Sequence, residues 1–168
     1  AHPDLAGKVI NGYDMVSDTR ISNDGNGRDS DPSDPGDWLT QAEINANTTF
    51  WDGCAESDSS WHGTQVSGIV AAATGNGVGM AGSGRHVRVL PVRVLGKCFG
   101  DTPDINTAIR WAAGVSIPGL PTNPNPAKVI NLSLGTGGPC FADDESAVAD
   151  AIARGAAVVA AAGNTAGR

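Results

Sequence analysis

From Val87 onward, runs of β-branched or small apolar residues alternate with helical patterns, and this alternation restricts the fold more than any other feature of the chain. Val87 to Leu95 reads as a strand in which Pro91 removes one ladder hydrogen bond and predicts a bulge or an irregular start. Thr102-Pro103-Asp104 then offers an N-cap, a proline at the first helical position and an acid in the first turn. Ile105, Ala108, Ile109 and Ala112 supply the apolar face of that helix. A connection rich in Pro, Gly and Asn at 114–126 leads to a second strand, Val129 to Leu134. Asp143-Asp144-Glu145 opens a helix whose inward residues include Val148, Ala151 and Ile152, and Arg154-Gly155 closes it. The run Ala156 to Ala162 reads as a last strand, buried on both sides. Strand, helix, strand, helix, strand implies right-handed crossovers in a parallel α/β sheet flanked by helices, which binds ligands beyond the carboxyl ends of its strands.

The first third of the chain is less regular. Lys8 to Tyr13 is a short apolar run that reads as a strand. Ser17 to Gly36 carries Asp18, Asp24, Asp29, Asp31 and Asp34 among Gly, Asn, Ser and Pro, a composition expected to form no packed element. Its centre, Asp24 to Asp29, suits either a loop around a hard cation or a solvated acidic surface, and no Glu closes it as in an EF-hand. Residues 38–60 read as an irregular surface insertion carrying Trp38, Trp51 and Cys54. The Gly-rich loop Thr74 to Gly82 lacks the Lys-Ser/Thr ending and the strand-borne GxGxxG that a phosphate cradle needs.

Composition narrows the class. The 168 residues suffice for one domain with a substantial core. A hydrophobic content of 40% with only 5% aromatic residues and 23 Gly describes an interior packed from small side chains. The net charge of −7 argues against nucleic-acid and anionic-membrane partners. No apolar run approaches a membrane span and no signal peptide is read, and the chain opens at Ala1 without Met. Cys54, Cys98 and Cys140 lack CxxC spacing, so zinc is not expected. One bridge with a leftover thiol fits a secreted protein, and three thiols fit a reduced compartment. Cys98 and Cys140 follow the carboxyl ends of successive strands joined by one crossover, which predicts a bridge between them.

The segment Ser60 to Ala73 combines an ionisable group with a helix start. Val66, Ile69, Val70 and Ala73 form one helical face, and Gly63, Gly68, Ala71 and Ala72 keep the others small, which predicts a helix packed on every side with His62 in its first turn. The positive end of a helix dipole disfavours a cation, and a general base near pH 7 must be neutral imidazole. Taken alone, His62 reads as a capping or core histidine. Its neighbours point further: His-Gly-Thr-x-Val-x-Gly-x-x-Ala resembles the histidine motif of the subtilisin-like serine proteases, with Gln65 and Ser67 where many members have His and Ala.

The resemblance extends in order along the chain. It implies an incomplete subtilisin-like three-layer sandwich over 1–168 and a secreted, monomeric parent acting on polypeptides as a serine endopeptidase. His62 matches the general base of the Asp-His-Ser triad. Asn131-Leu132-Ser133-Leu134-Gly135 resembles the edge that forms one wall of the S1 pocket, assigning Ser133, Leu134 and Gly135 to substrate binding. Ala161-Ala162-Gly163-Asn164 is similar to the segment whose Asn donates to the oxyanion, assigning that role to Asn164 and substrate contact to Ala162 and Gly163. Gly96, Phe99 and Gly100 match the strand that pairs with the substrate backbone beyond S1. His2-Pro3-Asp4-Leu5 resembles the stretch carrying a calcium ligand, so Asp4, the Asn76 side chain and the carbonyls of Thr74, Val78 and Met80 are expected to hold structural calcium. The family's catalytic Asp would precede Ala1 and its nucleophilic Ser would follow Arg168. On that reading the chain is the central part of a catalytic domain and by itself inactive. The alternative is a calcium-stabilised binding or structural domain that uses the fold without chemistry.

Overall fold

The computed structural model describes residues 2–135 and 137–164. They divide into two compact units, Ala1–Asp104 and Ile105–Arg168. In the first, β1 (Tyr13–Asp14) lies parallel to β2 (Val92–Arg93), with Tyr13 opposite Val92 and Asp14 opposite Arg93. The pairing extends backward as a bridge between Val9 and Val89. It is interrupted at Pro91, as expected of a residue without an N–H. Gly12 faces that interruption so closely that a Cβ would lie 1.7 Å from the Pro91 carbonyl oxygen. No side chain fits between the two segments.

The core of this unit is Val16, Ile21, Leu39 and Trp51, with Ile44, Phe50, Cys54 and Phe99 packed against it. Two sequence readings are corrected here. Residues 17–36 do hold a packed element: α1 (Thr19–Ser22), capped by the Asp18 carboxylate on the Arg20 N–H, seats Ile21 with no exposed surface. Composition averaged over twenty residues hides a single apolar side chain delivered by a capped turn. The insertion 38–60 is likewise ordered. Its α2 (Gln41–Ala46) starts with a capping box in which Thr40 and Glu43 satisfy each other's backbone N–H, and Leu39 pairs with Ser57.

The helix α3 (His62–Ala71) forms as predicted, but only Ala71 is buried and Ile69 is 58% exposed. Periodicity identifies an apolar face without identifying what covers it. The helix end is sealed by backbone bonds from Gly82, Ser83 and Gly84 to Ala72, Ile69 and Val70.

In the second unit, β3 (Val129–Leu132) lies parallel to β4 (Ala157–Ala160), in register from Val129 opposite Ala157 to Leu132 opposite Ala160. The helix α4 (Thr102–Ala112) buries Ala108, Ile109, Trp111 and Ala112. Asn123 caps its end by donating to the Trp111 and Ala112 carbonyls at 3.1 Å. Arg110 and Asn106 reach from α4 to Asp143, Asp144 and Asp150 of α5 (Ala142–Ala153). As expected, α5 ends at Arg154 with Gly155 left-handed. Its inward residues are Ala147 and Ala151 rather than Val148 and Ile152, and Ile152 is 59% exposed. Small side chains allow the closer approach. The reading of the last strand as buried on both sides is also corrected, since Val159 is 53% exposed and, on β3, Val129 is 61%. A run of small apolar residues shows that a strand tolerates burial on two faces, not that two layers cover it. Among the described residues no helix is long and apolar enough to cross a membrane.

The predicted Cys98–Cys140 bridge does not form. Cys98 is bonded to Cys54, with their Cα atoms 6.0 Å apart, and Cys140 is an exposed free thiol. Cys98 does follow β2, but the insertion packs Phe50 and Trp51 on Phe99 and so delivers Cys54 next door. The bridge closes a sequence separation of 44 residues. In the chain-entropy account a loop of that size stabilises by about 4 kcal/mol. Non-reducing peptide mapping is expected to recover a Cys54–Cys98 peptide and an alkylatable Cys140, and the double variant Cys54→Ala/Cys98→Ala should lower unfolding stability by most of that amount. A Cys140-containing crosslink would contradict the pairing.

Candidate active site

His62 is solvent-exposed at the first position of α3. The residue before it, Trp61, is left-handed at φ 51°, ψ 29°, and 46% exposed. A bulky side chain rarely adopts that conformation without outside restraint. Part of the restraint comes from Gln65, whose side chain donates to the Ser60 carbonyl at 2.7 Å and whose N–H donates to the Trp61 carbonyl at 3.0 Å. Ser67 donates its hydroxyl to the Gly63 carbonyl at 2.7 Å. The two positions that depart from the family pattern thus serve the helix locally: one clasps the turn before His62, the other the turn after it.

Beyond β2 the chain carrying Gly96, Phe99 and Gly100 folds into a tight turn. Gly96 donates to the Phe99 carbonyl at 3.0 Å, Lys97 to the Ile21 carbonyl at 2.9 Å, and Cys98 is left-handed. The Phe99 ring lies against Phe50 and Trp51, with centroids 5.7 and 6.2 Å away. Lys97, only 5% exposed, pairs with Glu43 of α2 and lies over the Trp38 ring at 5.3 Å. The insertion therefore braces this edge through a covalent, an ionic and an aromatic contact. None of these was read from the sequence, although Thr40-x-x-Glu43 is a legible capping box.

Asp4, Asn76 and Met80 are brought together. The Asp4 side chain, 3% exposed, accepts from the Asn76 amide at 2.8 Å and from the Met80 N–H at 2.9 Å. These two bonds, Asn76 first, hold its carboxyl below the usual range. Gly79 closes over it: at φ +55° a Cβ there would lie 2.3 Å from an Asp4 oxygen. Asn76 accepts from the Val78 N–H at 3.1 Å, which shapes the loop, and Thr74 lies at its start. No cluster of three or more His, Cys, Asp or Glu suited to a metal occurs among the described residues.

In the second unit Ser133, Leu134 and Gly135 follow β3, and Ala162, Gly163 and Asn164 follow β4. Because those strands are parallel and in register, and Ala161 donates to the Leu132 carbonyl at 3.0 Å, both segments leave from one sheet edge. Asn164 is exposed beyond left-handed Gly163, and Ser133 accepts from the Asn131 amide at 2.9 Å.

Comparison with known proteins places the chain. The Subtilase family profile matches residues 1–168. An extracellular protease of Xanthomonas campestris pv. campestris is 49% identical over 166 residues, covering 99% of this chain and 28% of that protein. An extracellular basic protease of Dichelobacter nodosus is 43% identical over 164 residues, covering 97% and 27%. Among solved structures, a protease from Pseudoalteromonas arctica PAMC 21717 matches with a TM-score of 0.87 and 47% identity, over 97% of this chain and 46% of that one. The chain belongs to the subtilase family and has its α/β fold. It spans less than half the length of each of these relatives.

The brace on the 96–100 edge carries a pH dependence. Hydrogen bonds from Lys97, then from the Thr40 hydroxyl and N–H, hold the Glu43 carboxyl down at about 2, against an ordinary value of 4.5. A carboxylate whose folded value is depressed contributes stability above its unfolded value and loses it as pH falls through the folded one. Tryptophan fluorescence of Trp38 and Trp51 should therefore report loosening of the insertion between about pH 4.5 and 2. Glu43→Gln should remove that component and weaken the insertion already at neutral pH; an unchanged acid transition in the variant would exclude Glu43 as its source.

Proposed function

We propose that this chain supplies the general base and the oxyanion donor of a serine endopeptidase that acts on polypeptides outside the cell. The observation that carries the reading is His62: an exposed imidazole at a helix start whose preceding turn is clasped in an unusual conformation, standing in the family's histidine motif. In the proposed reaction neutral His62 takes the proton of a serine hydroxyl as that oxygen attacks the peptide carbonyl, then returns it to the leaving amine. Asn164 donates its side-chain N–H to the developing oxyanion. Ser133, Leu134, Gly135, Ala162 and Gly163 line the pocket for the residue before the scissile bond, and Gly96, Phe99 and Gly100 receive the backbone further upstream. The serine and the Asp that orients His62 come from segments outside 1–168. Extracellular action is supported by the names of the two relatives and by the disulfide.

His62→Ala in the full-length protein is expected to lower kcat by orders of magnitude while leaving the melting temperature unchanged. Undiminished turnover would leave the family's fold without this chemistry and favour a binding role.

The same reading includes one structural calcium ion. Asp4 is a buried carboxylate with neutral hydrogen-bond donors, and among the described residues no Lys or Arg forms an ion pair with it. A buried charge calls for a counter-charge, and oxygen donors on a Gly-rich loop suit a hard cation. The ligands would be Asp4, the Asn76 side-chain oxygen and the carbonyls of Thr74, Val78 and Met80, and the ion would stabilise the loop against unfolding and proteolysis. Saturating calcium is expected to raise the melting temperature and chelation to lower it, with Asp4→Ala abolishing the difference. If the difference survives in Asp4→Ala, the ion is held elsewhere, and the acidic loop at 24–37 is the next candidate.

A further inference from the structure

Upstream of α3, a carboxylate at the end of the acidic loop, just before the insertion, reaches the turn that precedes His62. One Asp37 oxygen accepts from the Ser60 N–H and the other from the Ser60 hydroxyl, both at 2.6 Å. The Ser60 oxygen accepts in turn from the His62 N–H at 3.3 Å. We propose that Asp37 is a positioning residue for His62, acting through Ser60. This rests on the reading of His62 as general base.

Trp61 is left-handed and lacks a side-chain capping bond, so its conformation must be imposed from outside. Two clasps impose it from opposite sides. Gln65 holds the Ser60 carbonyl, and Asp37 holds the Ser60 N–H and hydroxyl. With both in place, the Ser60–Trp61–His62 backbone has one conformation, and the direction in which His62 leaves it is set. Asp37 is itself held in place, because the carbonyl of the preceding Gly36 accepts from the Asn23 side chain at 2.8 Å and the Gly36 N–H donates to Asp34 at 2.8 Å. Charge-assisted bonds to a half-buried carboxylate are stronger than neutral ones, so losing them frees Trp61 to relax toward an extended conformation. The helix start would then fray and the imidazole move relative to a substrate that needs it within hydrogen-bond reach.

The test compares Asp37→Ala, Asp37→Asn, Ser60→Ala and the double variant Asp37→Ala/Ser60→Ala in the full-length protein. The readouts are kcat and KM on a short peptide amide, together with the melting temperature. Asp37→Ala and Ser60→Ala should each lower kcat about tenfold with KM within about twofold, since misplacement of a reacting group appears in turnover. The double variant should be no worse than either single one, because residues acting through one another do not add. Asp37→Asn keeps an acceptor for the Ser60 N–H and should recover part of the loss. A lowered melting temperature with unchanged kcat would make Asp37 merely structural and overturn the proposal, as would losses that multiply in the double variant. His62→Ala separates the two readings. If it remains active, the general-base assignment and this proposal fall together; if it is inactive while the Asp37 variants turn over normally, only the positioning role falls.

Discussion

The first unit depends on one buried guanidinium. Arg93, on β2 and 8% exposed, donates to Asp14 of β1, to Asp24 at the head of the acidic loop and to the Ser22 carbonyl at the end of α1. A buried charge is tolerated only when its partners arrive together, so three segments separated in sequence must converge before this side chain can leave water. Burial pushes the Asp14 carboxyl up to about 6, against the opposing pull of the Val16 N–H and of Arg93. The pair thus fixes which residue of β1 faces which residue of β2, in strands too short for ladder bonds alone to set register.

From that anchor the constraints pass outward. β2 leads into the turn at 96–99, which the insertion fastens by a disulfide, an ion pair and an aromatic cluster. Asp37, the residue just before the insertion, holds the turn before His62. Residues 37–60, with little regular structure, therefore touch both the edge proposed to receive substrate and the turn that carries the proposed base.

Much of this was legible in the chain and some was not, for physical reasons. The helices at 62, 102 and 142, the strands at 129 and 157 and the Gly155 stop followed from periodicity and capping chemistry, which are local properties. The neighbourhood of Asp4, Asn76 and Met80 was readable because the family's motif places them together, and the structure brings these three into contact. What failed was long-range. The partner of Cys98 was set by where Phe50 and Trp51 found a surface, and no spacing rule encodes that. Burial on the outer faces of α3, α5 and β4 was overestimated because an apolar stripe records only what a surface can bury. Ile21 was missed because one side chain cannot outweigh twenty polar neighbours in a compositional average.

The acidic loop is built from repeated small units. Asp24, Asp29, Asp31 and Asp34 each accept a backbone N–H two residues ahead, from Asn26, Asp31, Ser33 and Gly36 respectively. Asp24 is also tied to Arg93 and the Asp29 backbone to Asp14, whereas the bends at Asp31 and Asp34 are closed by their own aspartates. The stretch between Asp29 and Asp34 is modular. One further three-residue bend could be inserted or removed at an entropy change that grows only logarithmically with length, while the last bend still delivers Gly36 and Asp37 to the same place. Selection can therefore vary the length and charge between Asp29 and Asp34 without moving the residues that follow, which separates the part of the molecule free to diverge from the part that is not.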